Sequence, residues 1–101
     1  MPKNIIYHIT TKEEWTIALA DGIYKAASLD KEGFIHCCTQ EQVPGVLVRY
    51  FNGKKQLLAL SIDADKILAP IQYEFSSSLN ETFPHIYGAI NIESVLAIAE
   101  I

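Results

Sequence analysis

Leu57-Leu58-Ala59-Leu60-Ser61-Ile62 is a nearly unbroken apolar run. A run of this length, bounded by turn-forming residues, reads as a strand buried on both faces. Asn52-Gly53 precedes it as a strong turn signal, with Lys54 and Lys55 beside it, and Asp63-Ala64-Asp65-Lys66 follows as a turn or a short helix start. A strand wet on neither side needs partners in its sheet and a layer of structure against each face. The rest of the chain is read for those parts.

Downstream, Pro70 introduces Ile71-Gln72-Tyr73-Glu74-Phe75, whose alternation predicts an edge or near-edge strand with Ile71, Tyr73 and Phe75 inward and Gln72 and Glu74 toward water. Ser76-Ser77-Ser78-Leu79-Asn80 reads as a mobile loop, delivering the chain into Phe83-Pro84-His85-Ile86-Tyr87-Gly88. If that segment is extended, His85 and Tyr87 share one face and Ile86 takes the other. A turn at Asn91-Ile92-Glu93-Ser94 then leads into a last strand, Val95-Leu96-Ala97-Ile98-Ala99.

Upstream, Ile5-Ile6-Tyr7-His8-Ile9-Thr10 reads as a central strand, with Ile6, His8 and Thr10 on one face. Thr11 and Glu14 have capping-box spacing, and Trp15, Ala18 and Leu19 form a helical stripe that Asp21-Gly22 ends, which predicts a helix over residues 12–20. Ile23 to Ala26 reads as a brief strand, and residues 28–32 as a turn or a single helical turn closed by Gly33. Gly33-Phe34-Ile35-His36-Cys37-Cys38 is expected as a strand with Phe34, His36 and Cys38 on one side. Thr39 with Gln42 repeats the capping box and opens a second helix through Tyr50, with Pro44 in its first turn. Two helices in the N-terminal half and about six short strands predict an α+β fold with a mixed or antiparallel sheet. Residues 1–101 are expected to form one domain.

The formal net charge is −4, and every lysine and arginine lies at or before Lys66, leaving an acidic C-terminal third. A single arginine, Arg49, cannot build a groove that tracks a phosphate backbone, so nucleic acid is not an expected partner. No apolar run approaches the roughly 20 residues of a bilayer crossing, so no membrane is expected either. Met1-Pro2-Lys3-Asn4 enters the first strand without an apolar leader, which makes the cytoplasm the expected location. The two cysteines, Cys37 and Cys38, are adjacent; on a strand they point to opposite faces and read as two buried thiols.

All three histidines fall in extended stretches, each with a hydroxyl or thiol two residues on: His8 with Thr10, His36 with Cys38, His85 with Tyr87. Three readings follow. The histidines with Glu81 could ligate zinc, although no local H-x-x-x-H pair supports it. Cys37 or Cys38 could be a nucleophile activated by His36 or His85, although the thiols sit in apolar surroundings. Best suited to the residue types is a polar cleft in which the histidines, Thr10, Ser28, Tyr87 and Glu81 bind a sugar- or nucleotide-like small molecule, with aromatic rings for stacking.

Tyr7-His8-Ile9-Thr10 with Glu14-Trp15, Ser28-Leu29, Gly33 through Thr39 with Gln42, and Phe83 through Gly88, in that order, resemble the small family catalogued as domain of unknown function 952 over essentially the whole chain. That family is similar in fold to the ADP-ribosyltransferase-like superfamily. The resemblance implies NAD or a related nucleotide as ligand, with His8 and Thr10 holding the adenosine ribose and Ser28 or Tyr24 beside the nicotinamide. It also implies a late glutamate on a strand. Here Glu81 is expected ahead of the strand, and His85 occupies the prominent position. Phosphoryl or cyclic-phosphate chemistry fits paired imidazoles instead, with Arg49 or Lys54 to hold phosphate. The expected catalytic set is His85, His36 and Tyr87, and the expected ligand-binding set is His8, Thr10, Ser28, Tyr24 and Glu81.

Overall fold

In the computed structural model the described residues are 4–101; residues 1–3, part of the stretch read above for a leader, lie outside them. The run at 57–62 is the centre of its sheet. Strand β4 (Leu57–Asp63) lies between β1 (Ile5–Thr11) and β8 (Val95–Glu100), antiparallel to both, with Leu60 opposite His8 on one side and Ile98 on the other. Its two faces meet different layers. Leu58, Leu60 and Ile62 join Ile6, Trp15, Tyr24, Ile35, Ile86 and Ile90 in the main core. Leu57 and Ala59 join Ile9 in a second cluster, covered by Val43, Val46, Leu47 and Phe51.

The helices begin where their capping residues stand. Helix α1 (Lys12–Asp21) starts at Thr11, whose hydroxyl accepts from the Glu14 backbone N–H, and stops at Gly22, where φ is 80°. Trp15 and Ala18 are buried, but Leu19, expected in the same stripe, is exposed. A short strand, β2 (Ile23–Tyr24), follows, and residues 27–32 form a true helix, α2 (Ala27–Glu32), rather than a turn. Thr39 and Gln42 close a capping box around a 3-10 turn at Gln40–Gln42, and the α-helix proper, α3 (Val43–Tyr50), starts next to Pro44, whose missing N–H costs nothing there. The Gln42 side-chain amide also donates to the Thr82 carbonyl, tying this helix start to the late hairpin.

The remaining strands are β3 (Ile35–His36), β5 (Ile71–Ser76), β6 (Glu81–Ile86) and β7 (Ile90–Asn91). Every ladder among the described residues is antiparallel, so the α+β reading holds, but the strands divide into three small sheets, β1-β4-β8, β2-β7 and β3-β6-β5, rather than one. The strand expected over 33–38 shrinks to Ile35 and His36 because the segment is shared between two neighbours. Ile35 and His36 pair with β6, the Cys37 N–H donates to the Pro84 carbonyl, and Cys38 exchanges two hydrogen bonds with Tyr7 of β1. It therefore splices one sheet to another.

Strand β5 is an edge strand, as its alternation implied, but its faces are not as expected. Ile71 packs on the core, whereas Tyr73 and Phe75 are 52% and 63% exposed, because the core ends beneath the first part of the strand. Glu74, read as facing water, is half-buried against His85 and Tyr87. The serine-rich loop is a tight hairpin turn closed by the Ser76–Glu81 pair, with Asn80 at a φ of 55°, and Glu81 opens β6 instead of preceding it. Gly88 ends the histidine-bearing segment at a close approach: a Cβ there would lie 2.7 Å from the Ala69 Cβ. Gly88→Ala is expected to cost about 1–3 kcal/mol, read as a fall in the urea midpoint, since a neighbouring segment would have to give way.

Candidate functional site

Where β1, β6 and the spliced segment meet, they leave a cleft of about 660 Å³. His8, Tyr24, Ser28, His36 and His85, five of the eight residues singled out from the sequence, line it together. The shared register explains the convergence. His36 stands directly opposite His85 across the β3-β6 ladder, and strand parity turns both rings to the same face. Their centroids are 5.2 Å apart in an edge-to-face arrangement. Phe34 stacks on the His85 ring at 4.2 Å and meets His36 edge-on at 4.8 Å, so it braces both.

Each of these imidazoles has one nitrogen on a carboxylate. His85 Nδ1 lies 2.7 Å from Glu74 Oε1, and His36 Nε2 lies 2.9 Å from Glu32 Oε2. An ionised carboxylate only accepts, so those nitrogens carry the protons, and in the neutral rings His85 Nε2 and His36 Nδ1 hold the lone pairs. The same Glu74 oxygen accepts the Tyr87 hydroxyl at 2.5 Å. These two donors, Tyr87 first and His85 second, hold the Glu74 carboxyl below its usual range, and the carboxylate in turn raises the Tyr87 phenol. Tyr87 does not line the cleft; it positions Glu74, which positions His85. Glu81 is also absent from the lining, because it sits at the far end of β6. Glu74 and Glu32, with Glu14 at the end of a second polar chain, are lining residues that the sequence reading did not single out as site residues.

The floor is a second polar chain. His8 is only 7% exposed, and its Nδ1 lies 2.6 Å from the His36 carbonyl oxygen, so Nδ1 carries a proton. Its Nε2 lies 2.8 Å from the Tyr24 hydroxyl, which lies 2.9 Å from Thr10 Oγ1, which in turn lies 3.3 Å from Glu14 Oε1. Thr10 is fully buried behind the floor, so it serves Tyr24 rather than a ligand. Burial pulls the His8 imidazole down, against the opposing effects of the His36 carbonyl and Glu14, and burial pushes the Tyr24 phenol up.

The sign of the His8 shift gives a stability expectation. A folded-state value below the unfolded one means that the unfolded chain binds the proton first, so stability falls as pH drops below the ordinary imidazole value of about 6.5. The Glu74 contribution is also lost on acidification, but only below the ordinary carboxyl value of 4.5, because its folded value is lowered. The urea midpoint should therefore be lower at pH 5 than at pH 7, and His8→Gln should flatten that slope; an unchanged slope would contradict the assignment.

The other readings fare differently. Burial pushes the Cys37 thiol up and the Cys38 thiol to about 11, with Arg49 only partly offsetting the latter, so neither is an activated nucleophile. Among the described residues no group of three or more His, Cys, Asp or Glu side chains is placed to hold a metal ion. Arg49 lies over the Tyr50 ring and Lys54 over Phe51, and among the described residues no lysine or arginine lines the cleft. No described helix is long and apolar enough to cross a membrane.

A family model described as "Protein of unknown function (DUF952)" matches residues 9–98. Among solved structures, the crystal structure of protein CC0527 from Caulobacter crescentus superimposes with a TM-score of 0.87 at 28% identity, covering 96% of this chain and 85% of that one. A crystal structure of a double mutant of that protein gives the same values. Its solution NMR structure gives a TM-score of 0.81 at 28% identity, covering 96% and 84%. No curated protein matches the chain.

Proposed function

This chain belongs to the DUF952 family of proteins of unknown function, and on that premise we propose that its cleft binds a nucleotide-like small molecule and performs acid–base transfer on it through His36 and His85. One observation carries the reading: two imidazoles 5.2 Å apart in one cleft, each oriented by a carboxylate on one nitrogen. Imidazole is the side chain best suited to give and take a proton near neutral pH, and a carboxylate on the far nitrogen fixes which nitrogen does so. His85 Nε2 and His36 Nδ1 are the nitrogens left for a reacting group. With a 2′,3′-cyclic phosphate, one takes the proton of an attacking hydroxyl as the new P–O bond forms, while the other, protonated, gives one to the ribose oxygen whose P–O bond breaks.

The cleft's size falls within the roughly 300–1,000 Å³ of small-molecule sites, and Tyr50, Phe51 and Phe83 give its lining the aromatic character that suits a base. Its charge narrows the ligand. With Glu14, Glu32 and Glu74 in the lining and no lysine or arginine among the described lining residues, a polyanion is disfavoured. A nucleoside 2′,3′-cyclic monophosphate or NAD, each singly charged, suits the cleft better than ADP-ribose or a triphosphate. NAD is also the ligand that the resemblance to ADP-ribosyltransferase-like proteins implies, and Glu74 is then the strand-borne carboxylate that the resemblance calls for.

Calorimetry with those four ligands, followed by chromatography of the mixtures, tests the reading. Binding of a singly charged ligand, and its conversion lost in His36→Ala and His85→Ala, is the expected result. Binding without conversion would reduce the domain to a non-catalytic binding module. No heat at millimolar ligand would overturn the proposal.

A further inference from the structure

The His8 chain contains a deficit that a proton count exposes. Three contacts link His8 Nε2, the Tyr24 hydroxyl, Thr10 Oγ1 and Glu14 Oε1, at 2.8, 2.9 and 3.3 Å. Each contact needs one proton. With His8 Nδ1–H committed to the His36 carbonyl and the ring neutral, the chain owns only two, those of Tyr24 and Thr10. If Tyr24 donates to His8 and Thr10 to Glu14, the two hydroxyl oxygens face each other without a proton. If Tyr24 donates to Thr10, His8 Nε2 has no donor. A third proton completes every contact at once.

We infer that His8, Tyr24, Thr10 and Glu14 form a proton relay, which takes up one proton at the exposed Glu14 carboxylate and delivers it to His8 at the floor of the cleft. Four O–H or N–H bonds form and three O–H bonds break as one added proton is passed along. The proton binds Glu14 Oε1 and moves to Thr10 Oγ1; the Thr10 proton moves to the Tyr24 oxygen, and the Tyr24 proton to His8 Nε2. At the end Glu14 is again a carboxylate, both hydroxyls again hold one proton each, and His8 is an imidazolium donating from both nitrogens. No other reactant is needed.

The surroundings of His8 fit this role. The groups that face it are Tyr24 from β2, Glu14 from α1, the His36 carbonyl and ring from β3, and the apolar Leu60 opposite it on β4. Desolvation opposes a charge there, while the His36 carbonyl and Glu14 favour it. The relay lets the charge appear only in company with its counter-charge. An imidazolium on the floor adds a positive charge to a cleft otherwise lined by carboxylates, and its Nδ1–H bears on the backbone of His36. The relay rests on these hydrogen bonds and not on the acid–base reading above, so either can fail without the other.

The test is an NMR pH titration of the full chain with ¹⁵N-labelled imidazoles. Neutral His8 is expected in the Nδ1–H form, and its protonation midpoint is expected to fall by about half a pH unit or more in Glu14→Gln, which keeps the helix cap, and in Thr10→Val, which leaves the Glu14 charge in place but cuts the chain. Thr10→Ser should restore it. An unchanged midpoint in Thr10→Val would mean through-space attraction alone and would overturn the relay. Should Thr10→Val fail to fold, an unchanged midpoint in Glu14→Gln overturns it equally, as would a neutral Nε2–H form or a His8 that stays unprotonated down to the acid transition.

Discussion

Leu60→Ala is expected to lower the unfolding free energy by about 2–5 kcal/mol. Leu60 is 0% exposed and lies on the face of β4 that joins the main core, flanked by His8 on β1 and Ile98 on β8. Removing its side chain forfeits the transfer free energy of the lost carbons, and β4, held by a ladder on each side, cannot collapse into the space. A domain of this size has about 5–15 kcal/mol in total, so the variant should sit close to the edge of folding. Urea unfolding at pH 7 measures it. A loss below about 1 kcal/mol would mean that β4 is not the strand around which the core is packed.

If His85 acts as the proposed acid or base, His85→Ala lowers turnover by about 100- to 10,000-fold while leaving the fold in place. The side chain is partly buried, at 15% exposure, and it packs on Phe34 rather than inside the main core, so its removal should not unfold the chain. Glu74→Gln should fall between wild type and His85→Ala, because a neutral amide can still meet His85 Nδ1 but no longer stabilises the imidazolium. Tyr87→Phe removes a donor that helps hold the Glu74 carboxyl low, so its effect should appear in the acid limb of the pH profile. Equal turnover in wild type and His85→Ala would remove His85 from the chemistry.

How much of this was legible depended on what each residue's neighbours were. The β4 run, the β1 run and both helix starts were readable because they rest on local rules, and those elements stand where expected; the full capping box forms at Thr39 and Gln42, whereas at Thr11 only the hydroxyl caps the Glu14 N–H. Parity also put His85 and Tyr87 on one face, where both reach Glu74. The faces of β5 were not readable, since alternation distinguishes two sides but not which side has a core beneath it. Tyr73 and Phe75 run past the core's edge, and Glu74 meets a polar cleft, a third option beyond core and water. One signal could have found Glu74. A short hairpin turn at residues 77–80 forces β5 back along β6, which sets Gln72 opposite His85 and Glu74 opposite Phe83, within a side chain's reach of that imidazole. The 33–38 segment was legible only in part: Ile35 and Cys37 reach the core as their parity implied, but the strand is cut to Ile35 and His36 because its backbone serves two sheets, and a sharing of partners leaves no periodic trace.

An NMR titration of the ¹⁵N-labelled chain, first with a nucleoside 2′,3′-cyclic monophosphate and then with NAD, tests most directly whether the histidine-lined cleft is the working site. Saturable shifts of the His36, His85 and Phe83 resonances, lost in His85→Ala, are the result expected. No saturable shift at millimolar ligand, or shifts confined to the shallow groove lined by Leu47, Val48 and Lys54, would contradict it.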